Sequence, residues 1–176
     1  MAFLRKKIRL PAAHYIGPRW YFVTLCCAER QRVFARPTNA DWLIEKLRQE
    51  STTHHFAVHA YCVMPNHFHA LVRGTEITSD LLVFLKSLKQ ETAYEFQRRF
   101  GHTLWQKRFY DHILRPKDSP DRVAAYIWMN PVRQGLCSDP KEYAYSGSFV
   151  SDWKGAAQPD EPWVPLWKRK MPVTKL

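Results

Sequence analysis

Two histidines separated by a single residue, His67 and His69, have the spacing in this sequence that first suggests chemistry. They lie in a stretch predicted to be a strand, where side chains alternate between faces, so both imidazoles should point the same way. Paired imidazoles suit a divalent metal ion whose other ligands are oxygen atoms. Because His-x-His also arises by chance, two surface histidines at a strand end are the alternative.

A second pair, Tyr126 and Asn130, could complete such a site. The two residues are four apart in a predicted helix and therefore share one face. The carbonyl oxygen of Asn130 could be a third metal ligand, and a phenol beside a divalent cation could attack a phosphodiester. A core tyrosine, followed by an asparagine that ends the helix before Pro131, explains the same spacing without chemistry.

The elements that must position these residues follow from local patterns. Strands are predicted at residues 20–25, 56–64, 67–73 and 105–115, with a tight Pro-Asn turn joining the second and third. One helix is predicted to begin at Thr38 or Asn39, a longer one to run from Ser79 or Asp80 to Gly101, and a third to begin at Ser119.

The order β-α-β-β-α-β-α predicts an α+β, ferredoxin-like split βαβ fold with an antiparallel sheet. We expect helices on one face of this sheet and an open second face. Three regions are predicted: a basic N-terminal arm at 1–18, a folded domain at 19–150, and an extended tail rich in proline and tryptophan at 151–176.

The charge balance indicates a nucleic-acid partner. Lys and Arg number 27 against 16 Asp and Glu, the net charge is +11, and 14% of the residues are aromatic. Basic groups bind phosphates and aromatic rings stack on unpaired bases; a basic surface kept only for solubility is the alternative. The candidate DNA-binding residues are Arg5, Lys6, Lys7, Arg9, Arg19, Lys86 and Lys89.

The four cysteines and the apolar runs limit the class of protein. No two cysteines have C-x-x-C spacing, which argues against a zinc knuckle or a redox motif, and reduced buried thiols are expected instead. Neither a signal peptide nor an apolar run of membrane-spanning length is recognised. We therefore expect a soluble cytoplasmic protein without a membrane partner.

Three stretches resemble signatures of a known family. The segment at 61–72, YCVMPNHFHALV, resembles the His-hydrophobic-His (HUH) motif of single-tyrosine transposases. The segments WQKRFYDHILR (105–115) and YIWMNPVRQGL (126–136) are similar to the second and third signatures of REP-associated tyrosine transposases. Order and spacing match from about Arg19 to Phe149, so the resemblance implies an HUH transposase domain at 19–150.

Site roles follow from the resemblance at the matching positions. It implies that His67 and His69 are metal ligands, that Tyr126 is the nucleophile, and that Asn130 is the third ligand. Asn66 stands where some relatives carry a glutamate.

Two further residues, Asp111 and His112, match a recurrent pair to which we assign no role.

The activity that the resemblance implies is metal-dependent cleavage and transfer of single-stranded DNA at REP-type palindromic hairpins, through a 5′-phosphotyrosine. Mg²⁺ or Mn²⁺ is the expected cofactor, the bacterial nucleoid the expected location, and a monomer the expected state, with a homodimer as the alternative. Two other functions stay open: a non-catalytic hairpin-binding protein of the same fold, and a zinc-stabilised RNA-binding domain with aromatic side chains exposed on its central strands.

Overall fold

A computed structural model describes residues 10–155 and 163–165 of the chain. The strands are β1 (Trp20–Cys26), β2 (Phe56–Met64), β3 (His67–Gly74), β4 (Tyr110–Ile113) and β5 (Ser146–Gly147). The helices are α1 (Pro37–Thr53), α2 (Leu81–Phe100), α3 (Pro120–Trp128) and the short α4 (Asn130–Arg133). The predicted order of elements is confirmed, with α4 and β5 added after it.

All the strands belong to one antiparallel sheet in the order β4-β1-β3-β2-β5. β3 is central and pairs with β1 on one side and β2 on the other. The Pro65-Asn66 turn joins β2 directly to β3, as predicted, so His67 is the first residue of the central strand. The α+β split βαβ fold is therefore confirmed.

Helices cover both faces of the sheet. α1 and α2 pack on one face, where side chains such as Val23 and Phe68 join the larger core cluster. α3 packs on the other face against Phe22 and Leu71. The expectation of an open second face was therefore wrong. Residues 123–128 of α3 are all buried. A helix whose side chains are apolar on every face is expected to be buried on every face.

Two predicted boundaries also differ from the structure. The fourth strand is short, because only Tyr110–Ile113 pair with β1, whereas Trp105 makes an isolated bridge with Cys27. The first helix begins at Pro37, so Asn39 lies inside it and its side-chain amide donates to the carbonyl of Val33 (2.9 Å) instead of capping the helix.

The second and third helix starts are confirmed. The carboxylate of Asp80 accepts hydrogen bonds from the first turn of α2, and Gly101 ends that helix with a positive φ of 75°. The hydroxyl of Ser119 caps α3, with Pro120 in its first turn. Within residues 10–155 and 163–165, none of the helices combines the length and the hydropathy that a membrane span would need.

Candidate functional site

His67 and His69 lie side by side on β3, on the face that α3 covers. Their ring centroids are 4.8 Å apart, and that of His69 is 6.5 Å from that of Tyr126. Phe68, between them, is buried in the cluster on the opposite face. The strand alternation assumed from the sequence is therefore observed.

Each imidazole is oriented by a hydrogen-bonding partner at Nδ1. Nδ1 of His67 lies 2.7 Å from the amide oxygen of Asn66, to which its N–H donates. Nδ1 of His69 lies 2.7 Å from the hydroxyl of Thr24 on β1. With Nδ1 engaged, Nε2 is the atom that each ring would offer a metal, an arrangement typical of metal-binding histidines.

Burial also keeps His67 in the form that binds metal. Burial, with a smaller contribution from the positive charge of Arg30, lowers the pKa of His67 to about 4. The imidazole is therefore neutral at pH 7, and a metal would not have to displace a proton from it.

The phenol of Tyr126 reaches this site from α3, and the amide of Asn130 reaches it from the start of α4. α3 ends at Trp128, and Pro131 has no N–H with which to continue the helical hydrogen bonds. The Asn130 side chain replaces them, since its Nδ2 donates to the carbonyls of Tyr126 (3.0 Å) and Ile127 (3.2 Å). These bonds leave Oδ1 of Asn130 as the amide atom that a metal could use.

Arg133 holds Tyr126 from two directions. Its guanidinium donates to the backbone carbonyl of Tyr126 and lies over the phenol ring, with Cζ 4.2 Å from the ring centroid. A cation over an aromatic face is attracted by the electrons of the ring. The residue therefore fixes both the backbone and the ring of the tyrosine.

These side chains meet around one cavity of about 350 Å³. Tyr126, His67, His69 and Asn130 all line it, so the structure brings together every predicted catalytic and metal-binding residue within one chain. The other residues that line it are Thr24, Cys26, Arg30, Tyr110 and Gln134.

The donor set fits a divalent cation only if the amide takes part. Within residues 10–155 and 163–165, no group of three His, Cys, Asp or Glu side chains is placed to hold a metal ion. Two imidazole nitrogens and the amide oxygen of Asn130 supply three ligands, and phosphate or water oxygens could complete the shell.

Those of the predicted DNA-binding residues that the structure describes do not line this cavity. The arm residues Arg5, Lys6, Lys7 and Arg9 are outside the described residues. Arg19 and Lys86 are exposed, and Nζ of Lys89 donates to the carbonyls of Gln106 (2.9 Å) and Lys107 (3.3 Å). Their contacts with DNA stay predictions.

The recurrent pair on β4 divides between the two faces of the sheet. Asp111 accepts a hydrogen bond from the hydroxyl of Tyr15 (2.6 Å). His112 is buried on the α3 side, where its Nε2 lies 3.0 Å from a carboxylate oxygen of Asp118. Since Asp118 directly precedes the cap of α3, this hydrogen bond links β4 to the helix that carries Tyr126.

Part of the predicted tail packs on the same side of the sheet. Trp163 is 5% exposed, and its ring centroid lies 5.2 Å from those of both Tyr126 and Phe22. Trp153 stacks on Trp128 with centroids 4.8 Å apart. The tail therefore contacts the candidate nucleophile.

Sequence reasoning missed three residues that support the site, Thr24, Arg133 and Gln134. Thr24 could not be found without the strand register that places it opposite His69. Arg133 and Gln134 follow Tyr126 by seven and eight residues, a helical spacing that could have found them if the helix had not been predicted to end at Asn130.

Two proteins of known bacteria are similar in sequence to this chain. A Haemophilus influenzae protein named "Putative REP-associated tyrosine transposase" is 26% identical over 155 residues, covering 80% of this chain and 85% of that protein. A REP-associated tyrosine transposase of Escherichia coli is 22% identical over 151 residues, covering 81% and 88%.

The same fold occurs in the solved structure of a REP-associated tyrosine transposase bound to a REP hairpin. That structure matches with a TM-score of 0.66 and 22% identity, covering 81% of this chain and 82% of that one. Residues 19–130, most of the chain, match the family described as "Transposase IS200 like". The chain therefore belongs to the family of IS200-like transposases.

Proposed function

We propose that this transposase is a metal-dependent endonuclease and strand transferase that cuts single-stranded DNA at REP-type palindromic hairpins. The observation that carries the proposal is the convergence of Tyr126, His67, His69 and Asn130 on one cavity of a single chain. REP-type hairpins are the proposed substrate because the two relatives above are named for REP elements. Since one chain supplies the whole set of residues, we propose that it acts as a monomer, in the bacterial cytoplasm with the nucleoid.

The proposed reaction is a transesterification at the scissile phosphate. Oη of Tyr126 attacks phosphorus, so an Oη–P bond forms while the bond from phosphorus to the 3′ oxygen breaks. The phenol gives its proton to solvent, and the departing 3′ oxygen gains one from solvent, so the protons balance. Tyr126 then carries the 5′ phosphate, and attack by a 3′ hydroxyl reverses the step, so no ATP is consumed.

The chain's own residues would prepare the phenol for this attack. Arg133 holds the ring by stacking and holds the backbone by its hydrogen bond. His67, His69 and Asn130 would hold Mg²⁺ or Mn²⁺, which when bound would polarise the phosphate and offset its developing charge. Arg30, which also lines the cavity, adds a positive charge near the phosphate.

A covalent-capture experiment tests the proposal. The protein is mixed with Mn²⁺ and a labelled hairpin that has single-stranded flanks, then denatured and resolved by electrophoresis. We expect a protein–DNA adduct that disappears in Tyr126→Phe and persists in the control Tyr94→Phe, because Tyr94 is 63% exposed on α2. An adduct that survives Tyr126→Phe would refute the assignment of the nucleophile.

A second set of variants tests the metal ligands apart from DNA binding. His67→Ala, His69→Ala and Asn130→Ala should each abolish the adduct yet leave hairpin affinity nearly unchanged in EDTA. Asn130→Gln keeps an amide and should retain part of the activity. Adduct formation that is unaffected by EDTA would remove the metal from the proposal.

The two other functions make different predictions. A non-catalytic hairpin-binding protein should bind without forming an adduct. The RNA-binding alternative needs stacking surfaces on the central strands, but Phe22 on β1 and Phe68 on β3 are fully buried. The structure therefore gives that alternative no support.

A further inference from the structure

A second cavity, of about 270 Å³, has a lining of a different kind from that of the candidate catalytic cavity. Arg32 and Arg36 supply two positive charges to it, and Phe96, Phe100 and His102 supply aromatic rings. Among the described residues that line it, none is acidic. Neither the transesterification proposed above nor the metal ligands use any of these side chains.

The segment 27–32 contributes residues to both cavities. Arg30 lines the catalytic cavity, whereas its neighbours Gln31 and Arg32 line the second one. Because consecutive Cα atoms are about 3.8 Å apart, the backbone that borders one cavity continues directly into the backbone that borders the other.

The position of this segment is fixed by backbone hydrogen bonds. The N–H of Cys27 donates to the carbonyl of Asn66 (2.9 Å), beside His67. Glu29 and Arg30 have positive φ values of 52° and 57°, an unfavourable conformation for residues other than glycine. Such conformations persist where the surrounding structure enforces them, often at functional sites.

The lining of the second cavity matches the chemistry of an unpaired nucleotide. Arg32 and Arg36 are exposed, and guanidinium groups bind phosphate oxygens in bidentate fashion. Phe100 is 39% exposed, and its ring packs against that of the buried Phe96, with centroids 4.6 Å apart. The ring of His102 also packs on Phe96, with centroids 4.9 Å apart. An aromatic surface beside paired cations is the usual combination for single-stranded nucleic acid.

We propose that this cavity binds one nucleotide of the single-stranded DNA that flanks the hairpin. The base would stack on Phe100 and His102, and the adjoining phosphates would contact Arg32 and Arg36. The inference rests on the proposed function for the identity of the strand, but it concerns binding and does not depend on cleavage.

Equilibrium binding tests the proposal with three probes: an unstructured oligothymidylate, a bare hairpin, and the same hairpin with single-stranded flanks. Phe100→Leu keeps the packing on Phe96 and removes the stacking surface. It should weaken binding of the oligothymidylate and of the flanked hairpin on the order of tenfold, the typical contribution of one stacked base. Binding of the bare hairpin should not change.

The two arginines are tested by salt dependence. Arg32→Gln combined with Arg36→Gln should lower the slope of log affinity against log salt for the oligothymidylate by about 1.4, since each phosphate contact on a single strand contributes about 0.7. The control is Arg98→Gln combined with Lys107→Gln, which removes the same charge from exposed positions that do not line the cavity. Equal effects of the two double variants would overturn the proposal, because they would show a general charge effect.

Photocrosslinking locates the bound nucleotide directly. A strand that carries 5-iododeoxyuridine beside the hairpin should crosslink to the peptide containing Phe100 and His102. A crosslink elsewhere, or an equal loss of bare-hairpin binding in Phe100→Leu, would also overturn the proposal. Failure of the proposed function would look different: the parent protein would form no covalent adduct, although its oligothymidylate binding could still depend on Phe100.

Discussion

The hydroxyl of Thr24 on β1 lies 2.7 Å from Nδ1 of His69 on β3, across a pair of residues that are directly opposite in the sheet. This contact fixes the ring of one candidate metal ligand through a neighbouring strand. A histidine held in this way keeps its Nε2 aimed at the cavity without further ordering when metal binds.

Thr24→Val should therefore weaken the metal site while keeping the side-chain shape. We expect Mn²⁺ affinity, measured by calorimetry, to fall by about 10–100-fold. Adduct formation should recover at saturating Mn²⁺. Thr24→Ser retains the hydroxyl and is the control; an equal loss in both variants would mean that the packing of the methyl group matters rather than the hydrogen bond.

Arg133 should set the rate of the chemical step by holding Tyr126. Arg133→Met removes the stacked cation and the hydrogen bond, and we expect the single-turnover rate of adduct formation to fall on the order of tenfold, or about 1.4 kcal/mol. Arg133→Lys should restore only part of the rate, because an ammonium group lacks the planar fork. Hairpin affinity should change little.

The matched control for Arg133 is Arg48→Met. Arg48 makes the same kind of stack, with Cζ 3.9 Å from the centroid of the Phe149 ring. Neither Arg48 nor Phe149 lines the catalytic cavity. An equal fall in rate in the two variants would indicate a general loss of stability.

The carboxyl group of Asp118, which contacts His112, should make stability depend on pH. Burial acts to raise the pKa of Asp118, but hydrogen bonds from the Arg115 backbone and from His112 outweigh it and hold the pKa below the ordinary 3.8. A carboxyl whose pKa is lower in the folded state stabilises the protein above its unfolded pKa and loses that contribution as the pH falls through the folded value.

Asp118→Asn should accordingly lower the free energy of unfolding at pH 7 by about 1–3 kcal/mol. The difference from the parent should shrink as the pH falls below 3.8. Urea denaturation followed by tryptophan fluorescence at several pH values measures both. A difference that stays constant down to pH 3 would contradict the assignment of the pH dependence to this carboxyl.

Trp163 should restrain the reaction, because its ring packs against that of Tyr126. Truncation after Val150 and Trp163→Ala should both raise the rate of adduct formation. The increase should be roughly tenfold if the tail is docked in about ten molecules for each molecule in which it is undocked. Trp153→Phe is the control, since Trp153 stacks on Trp128 instead. A rate that is unchanged or lower in Trp163→Ala would show that the contact only supports the fold.

Two periodicities made most of the site predictable from the sequence. The repeat of two along a strand placed His67 and His69 on one face of that strand. The repeat of 3.6 along a helix placed Tyr126 and Asn130 on one face of that helix. Both inferences need only local structure. Thr24 was beyond reach because its partner is 45 residues away and depends on the pairing of β1 with β3.

The covered second face of the sheet had a signal that the prediction did not use. β1 reads WYFVTLC, with Tyr21 and Val23 directed to one face and Phe22 to the other, and all three are fully buried. A strand that is apolar on both sides needs a layer on each side of the sheet. The apolar run in β1 therefore predicts the covering helix.

The pairing of β1 with β3 limits which changes of length the protein can accept. A single residue inserted between Trp20 and Thr24 would turn the rest of β1 over, because side chains alternate with a period of two. The threonine hydroxyl would then face α1 and α2, and an apolar side chain would stand beside the imidazole of His69. Deletions or insertions in the connecting loops do not change which side chains of β1 face each side of the sheet. Natural and engineered variation in length should therefore be found in the loops and be absent from this strand.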